Sequence, residues 1–312
     1  MFPRYALRLA PQPPSVEKHI IVISPSKRLA PMTVNRSPGE SSTRVFSGFA
    51  VRSRIIRGNL YQAARIAYVG AAFLGSATES ARAQAPVGMP AAETCLTVNL
   101  NLSLGARLPR TAARLKSSEP LKIVAIGSST TVGLWVLDSA ATYPEVMRRE
   151  LLRLRSNAEI RVINSGRIGD TIPDNVARFK RDVFPHRPDL VVWQLGTNDV
   201  AWGGHPDDQL KNKIVQGVRA LKASGADVIL MDLQYAPMVL RSANYSKMEV
   251  IISEVAQQEQ VGLFSRFALM RKSIGAGVPP SALVAWDGLH NTADGYDCIG
   301  RALARTVSDS IQ

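Results

Sequence analysis

From residue 119 onward the chain alternates two kinds of apolar pattern. Short, nearly unbroken apolar runs occupy 121–127, 159–164, 189–195, 226–232 and, more weakly, 261–264. Runs of this length without polar alternation are what strands covered on both faces require, as in a parallel sheet. The stretches between them carry helical spacing and helix-start signals. Pro206 with Asp207 and Asp208 predicts one helix start, with proline at the first helical position and acids complementing the N-terminal dipole. Ser246 and Glu249 have the spacing of a capping box and predict another. Tyr296, Ile299, Leu303 and Val307 give the last segment, about 292–310, one apolar helical face. Five strands alternating with helices predict a single α/β domain, 119–312, with its parallel sheet covered on both sides.

Upstream the pattern changes. Leu96, Val98, Leu100, Leu102 and Leu104 alternate with Thr97, Asn99, Asn101 and Ser103. That period of two predicts one accessory strand with a single buried face, carried on a linker spanning 84–118. Residues 1–50 show no sustained period and are rich in Pro, Ser and Arg, the composition of a disordered extension. Within 51–83, Arg52, Arg54, Arg57 and Arg65 precede the apolar run Ile66 to Leu74, and Ala81-Arg82-Ala83 follows. A basic region, a short apolar core and a small-x-small site describe a secretory signal peptide. The apolar run is too short for a stable membrane span, which needs about 20 residues. A signal this far along the chain places the start of translation near Val51 and the mature protein in the periplasm or outside the cell. An uncleaved inner-membrane anchor is the alternative reading.

Charge sharpens this division. Of the net +13, residues 1–85 contribute +9 (12 Lys and Arg against 3 Asp and Glu) and residues 86–312 only +4 (26 against 22). The basic excess therefore belongs to the N-terminal extension. No basic stripe interleaved with aromatics appears, which argues against nucleic acid as a partner. Cys95 and Cys298 are too few for a disulfide framework. In an oxidising compartment they have the option of pairing, but the expectation here is two unrelated buried thiols. With no C-x-x-C or Cys/His cluster, no structural zinc is expected.

The candidate chemistry sits where apolar runs stop. After Ile123-Val124-Ala125-Ile126 come Gly127-Ser128-Ser129-Thr130-Thr131-Val132-Gly133. This turn lacks the lysine of a phosphate loop and the glycine spacing of a dinucleotide-binding turn. Thr131 also stands where the nucleophile elbow of the α/β hydrolases has its second glycine. Taken alone, such a turn is an ordinary helix cap. Downstream, Asp287-Gly288-Leu289-His290 puts a carboxylate three residues before one of only four histidines. His290 is thereby a candidate base for Ser129, with Asp287 fixing its tautomer. Gly166 and Gly169 follow the second strand, and Gly196-Thr197-Asn198-Asp199 follows the third. A glycine N–H and the Asn198 amide at those positions are candidate oxyanion donors. Ligands of an open doubly wound sheet bind outside the carboxyl ends of its strands, at the switch between the first and third. Ser129, Gly169, Asn198 and the Asp287/His290 pair converge there.

In that order, these blocks resemble the SGNH/GDSL hydrolase family. Its G-D-S-x-[ST]-x-G block aligns with Gly127 to Gly133, its second-block glycine with Gly169, its G-x-N-D with Gly196 to Asp199, and its D-x-x-H with Asp287 to His290. The resemblance spans about 120–310. It implies a three-layer, flavodoxin-like α/β/α fold with strand order 2-1-3-4-5. It also implies a catalytic Ser129, Asp287 and His290, an oxyanion hole of Ser129, Gly169 and Asn198, and no metal or cofactor. Ser128 departs from the family, which usually has Asp there, so the turn is expected to be braced differently. The function implied is hydrolysis of short acyl or sugar O-acetyl esters by a monomeric esterase. Two alternatives are an acyltransferase or thioesterase on the same site, and a non-catalytic carbohydrate- or lipid-binding domain. A small-molecule or glycan ester is the partner expected.

Overall fold

The computed structural model describes residue 95 and residues 102–202 and 204–311. The signal-like segment 51–83 and most of the anticipated accessory strand lie outside these. Five parallel strands form the sheet: β1 (Leu121–Gly127), β2 (Ile160–Gly166), β3 (Leu190–Gln194), β4 (Asp227–Met231) and β5 (Gly262–Phe264). Their order is β2-β1-β3-β4-β5, as the resemblance implied. Register runs from Leu121 opposite Ile160 and Ile123 opposite Leu190 to Met231 opposite Phe264. Ile123, Val124, Ala125 and Ile126 are fully buried, as are Leu190 to Trp193, because helices cover both faces. β2, at the edge, is mostly half-buried instead, with Arg161 and Asn164 exposed.

Helices α3 (Tyr143–Leu154) and α11 (Ala293–Asp309) pack together on one side. Gly300 makes this approach possible, since a Cβ there would meet Val146 at 2.6 Å and the Tyr143 carbonyl at 2.8 Å. On the other side α4 (Ile172–Asp182), α6 (Asp208–Ala223) and α8 (Tyr245–Gln258) lie side by side. Trp193 of β3 donates its indole N–H to Asn175 of α4 at 2.9 Å. Between them run the short helices α2 (Ser129–Val132), α5 (Thr197–Ala201), α7 (Pro237–Leu240) and α10 (Pro280–Leu283), and the longer α9 (Arg266–Gly275). Among the described residues no helix is long and apolar enough to cross a membrane.

Four expectations are corrected. Asp207, not Pro206, opens α6: its side chain accepts the Leu210 N–H at 2.8 Å, and Pro206 lies outside the helix. Ser246 and Glu249 form no capping box, because α8 already starts at Tyr245 and puts Ser246 inside the helix. Residues 102–104 form no strand, although Leu104 accepts a backbone hydrogen bond from Leu263 beside β5. Helix α1 (Pro109–Leu115) follows at the end of the sheet opposite the candidate site. There the buried Asp189 carboxylate accepts from Arg110, Arg114 and the Lys122 N–H, and Asp227 accepts from the Thr111 N–H at 2.7 Å. Finally, Cys95 and Cys298 are not separate thiols. They are joined in a disulfide, with Cα atoms 5.9 Å apart across 203 positions of sequence.

Candidate active site

β1 delivers the chain to Gly127, Ser128 is extended, and α2 begins at Ser129. The turn is held from below by one side chain. Gln194, the last residue of β3, has its amide oxygen accept from the Ser128 N–H at 2.9 Å, the Ser128 hydroxyl at 3.0 Å and the Thr131 hydroxyl at 3.1 Å. Ser128 thus enters the brace through both its main chain and its hydroxyl. Asn164 of β2 donates to the Thr131 carbonyl at 2.7 Å. The backbone of Gly166 lies against Val132 so closely that a Cβ would collide with it.

Beyond β2 the chain turns through Gly169 at φ +84°, in the left-handed region. Asp170, next in sequence, is buried and pairs with Arg178 of α4, which also donates to the Gly127 carbonyl at 2.9 Å. Asn175 adds a 2.9 Å hydrogen bond to the same carboxylate. Asn198 lies in α5, at the end of β3, and its amide donates to the Asp170 carbonyl at 2.9 Å. An amide has two N–H groups, so one remains. Asp199 beside it accepts the Ile172 N–H that opens α4, and burial pushes its carboxyl up to about 6.

The last loop is closed by a bridge between Val284 and Asn291 and by an Ala285 N–H to His290 carbonyl bond of 2.8 Å. Gln234, fully buried after β4, accepts from Thr130 at 3.2 Å and donates to the Leu289 carbonyl at 2.5 Å. It thereby ties the Ser129 turn to the His290 loop. The result is a continuous chain: Ser129 Oγ lies 2.8 Å from His290 Nε2, and His290 Nδ1 lies 2.6 Å from Asp287 Oδ2. Asp287 Oδ1 accepts the Leu289 and His290 N–H groups at 3.0 Å each, and Oδ2 also accepts the Trp135 indole N–H at 2.7 Å. Burial alone would raise the Asp287 carboxyl, but these donors, His290 foremost, outweigh it and hold the group well below the usual carboxylate range.

All the residues singled out from the sequence therefore lie at the carboxyl ends of β1, β2 and β3 or in the loop before α11. Of the candidate oxyanion donors, Asn198 is the one whose side chain already donates to a protein carbonyl, that of Asp170. A cleft of about 480 Å³ opens beside it, lined by Thr171, Pro173, Trp202 and His205 among others. Among the described residues no group of three or more His, Cys, Asp or Glu is placed to hold a metal ion. Two structural contributors escaped the sequence reading: Gln194 and Trp135. Only Gln194 left a trace, as a polar residue closing a fully apolar strand.

Comparison with known proteins finds esterases among the similar sequences and folds. An arylesterase of Vibrio mimicus is 29% identical over 147 residues, 47% of this chain and 70% of that protein. An acetylxylan esterase of Geobacillus stearothermophilus is 30% identical over 164 residues, 47% and 72% respectively. The solved structure of an acetylxylan esterase from the same organism superposes with TM-score 0.52 at 22% identity, over 61% of this chain and 96% of that one. A two-domain esterase active on acetylated mannans gives 0.57 at 19%, over 66% and 54%. The model of the non-GDSL lipase-like family matches residues 94–312. This chain belongs to that family, as a carboxylic ester hydrolase of the SGNH type.

Proposed function

We propose that this protein cleaves short-acyl O-esters, sugar O-acetyl esters foremost, through an acyl-enzyme on Ser129. The observation that carries the reading is the unbroken hydrogen-bond chain from Ser129 Oγ through His290 to Asp287. Asp287 accepts from Nδ1, which leaves Nε2 as an acceptor aimed at the serine hydroxyl. His290 takes that proton as Oγ attacks the ester carbonyl, and Asp287 compensates the imidazolium charge. The Ser129 and Gly169 N–H groups and the second Asn198 N–H receive the developing oxyanion. Collapse expels the alcohol, protonated from Nε2, and water repeats the sequence to release the acid.

Substrate size is argued from the surroundings. The relatives named for acetylxylan and aryl esters favour small acyl groups on a ring-bearing alcohol. Exposed Trp202 beside Asn198 and exposed Trp286 beside Asp287 offer flat apolar faces to such a ring. The signal-like segment 51–83 and the Cys95–Cys298 disulfide both fit an oxidising, exported location. The test is burst kinetics with p-nitrophenyl acetate, followed by turnover of acetylated xylo-oligosaccharides. A burst stoichiometric with enzyme, abolished by a fluorophosphonate and by Ser129→Ala, is expected. Full activity in Ser129→Ala refutes the mechanism, and preference for long acyl chains refutes the substrate class.

A further inference from the structure

Trp135 stands in a conformation its sequence does not favour. Gly133 accepts the Val136 N–H at 3.1 Å, closing a turn whose third residue is Trp135 at φ +73°. A positive φ at that position is ordinarily left to glycine or asparagine, since Cβ crowds the backbone there. The turn is fixed from two sides. Leu134 donates its N–H to the Ser129 carbonyl at 3.1 Å, and its own carbonyl accepts the buried Tyr296 hydroxyl of α11 at 3.1 Å. Strain that is over-determined in this way marks a functional position. Its outcome is visible: the half-exposed indole reaches back over Asp287 and donates to Oδ2, the oxygen that holds His290 Nδ1. Trp286 packs against the same ring, with centroids 5.2 Å apart.

Resting on the proposed Ser129–His290–Asp287 mechanism, we infer that Trp135 is a positioning residue for the catalytic acid. Its indole N–H fixes the rotamer of Asp287 and draws charge from the oxygen facing His290. The turn carrying it starts from the nucleophile helix itself, so serine and acid are set by one covalently continuous element. Asp287 faces two other titratable groups, His290 on its own loop and Tyr296 on α11. Neither replaces the indole, because Tyr296 spends its hydroxyl on Leu134. Losing the N–H leaves Oδ2 more negative, which strengthens its hold on the imidazolium.

The experiment compares Trp135→Phe with the wild-type enzyme in pH-resolved kinetics on p-nitrophenyl acetate. Phenylalanine keeps a ring against Trp286 and removes only the donor. Expected are an about tenfold lower kcat, an unchanged KM, and an acid limb of kcat/KM moved upward by about half a pH unit. Trp135→Gly relieves the positive φ, so its melting temperature should equal or exceed the wild type while kcat falls as in Trp135→Phe. A wild-type kcat and pH limb in both variants would overturn the inference. So would a rise in KM alone, which makes the indole a substrate contact, or loss of both activity and stability in Trp135→Gly, which makes it structural. Ser129→Ala separates the two levels. If that variant is dead while Trp135→Phe is normal, only the inference falls; if it is active, the mechanism beneath it falls.

Discussion

Replacing Asp287 by Asn tests the candidate site with one atom. The carboxylate has two unlike oxygens: Oδ1 accepts two main-chain N–H groups, and Oδ2 accepts from His290 Nδ1 and the Trp135 indole. An amide has only one oxygen to offer. Facing the main chain, that oxygen keeps both backbone bonds, and the NH2 group donates to His290 Nδ1 while opposing the Trp135 N–H. Turned the other way, the oxygen serves His290 and Trp135, but the NH2 group opposes two buried N–H donors that cannot move. The first orientation wins by about one hydrogen bond, on the order of 1 kcal/mol. In it Nδ1 must be an acceptor, so Nε2 carries the proton and points a donor at Ser129. The base is then present in the wrong tautomer. In a serine protease the analogous replacement lowers kcat by about 10⁴, or about 5 kcal/mol of barrier, and a loss of that order is expected here. Stopped-flow acylation with p-nitrophenyl acetate, beside a thermal melt, measures both effects. The melting temperature should move little, because the Leu289 and His290 N–H groups keep their acceptor. A loss below tenfold across the pH range would refute the assigned role of Asp287.

Two further predictions concern the supports of the site and the fold's response to pH. Gln194→Leu strands the Ser128 N–H and two hydroxyls beneath the Ser129 turn. It should cost about 2–4 kcal/mol, lower the melting temperature by roughly 10 °C, and depress kcat; an unchanged melt would show the bracing to be dispensable. Glu249 is held up at about 7 by burial and then by the nearby Asp232 carboxylate. A carboxyl whose folded value lies above its unfolded one keeps its proton longer in the fold, so stability declines as pH rises from about 4.5 to 7. Glu249→Gln should therefore gain on the wild type between pH 5 and pH 8 in differential scanning calorimetry, and an equal gap at both pH values would contradict this.

The sheet was legible because burial on both faces leaves little room for polar residues. The runs at 121–127, 189–195 and 226–232 locate β1, β3 and β4 to within a residue. β2 was read as ending at 164 but continues to Gly166, because Asn164, Ser165 and Gly166 are polar or small at an exposed edge. The capping-box spacing at Ser246 misled because spacing is a local property, whereas the start of α8 is set by the packing of Met248, Ile251 and Ile252 onto the sheet. Ser129, Asn198, Asp287 and His290 were readable because each stands just beyond an apolar run or in a short polar motif. Gln194, Gln234 and Trp135 act across 66, 104 and 152 positions respectively. No pattern within a segment encodes partners so distant. The Cys95–Cys298 pairing, across 203 positions, was hidden for the same reason.

That disulfide has a topological consequence. It closes a covalent ring that contains Ser129, Asp287 and His290 together, along with every strand of the sheet. A single proteolytic nick inside the ring leaves two chains joined through the disulfide and frees no fragment. Ser129, Asp287 and His290 stay tethered, and the broken ends remain within reach of the packed core. Release of a piece requires either a second cut or a reductant. The ring turns the first cleavage from the loss of a fragment into a nicked molecule that is still held together.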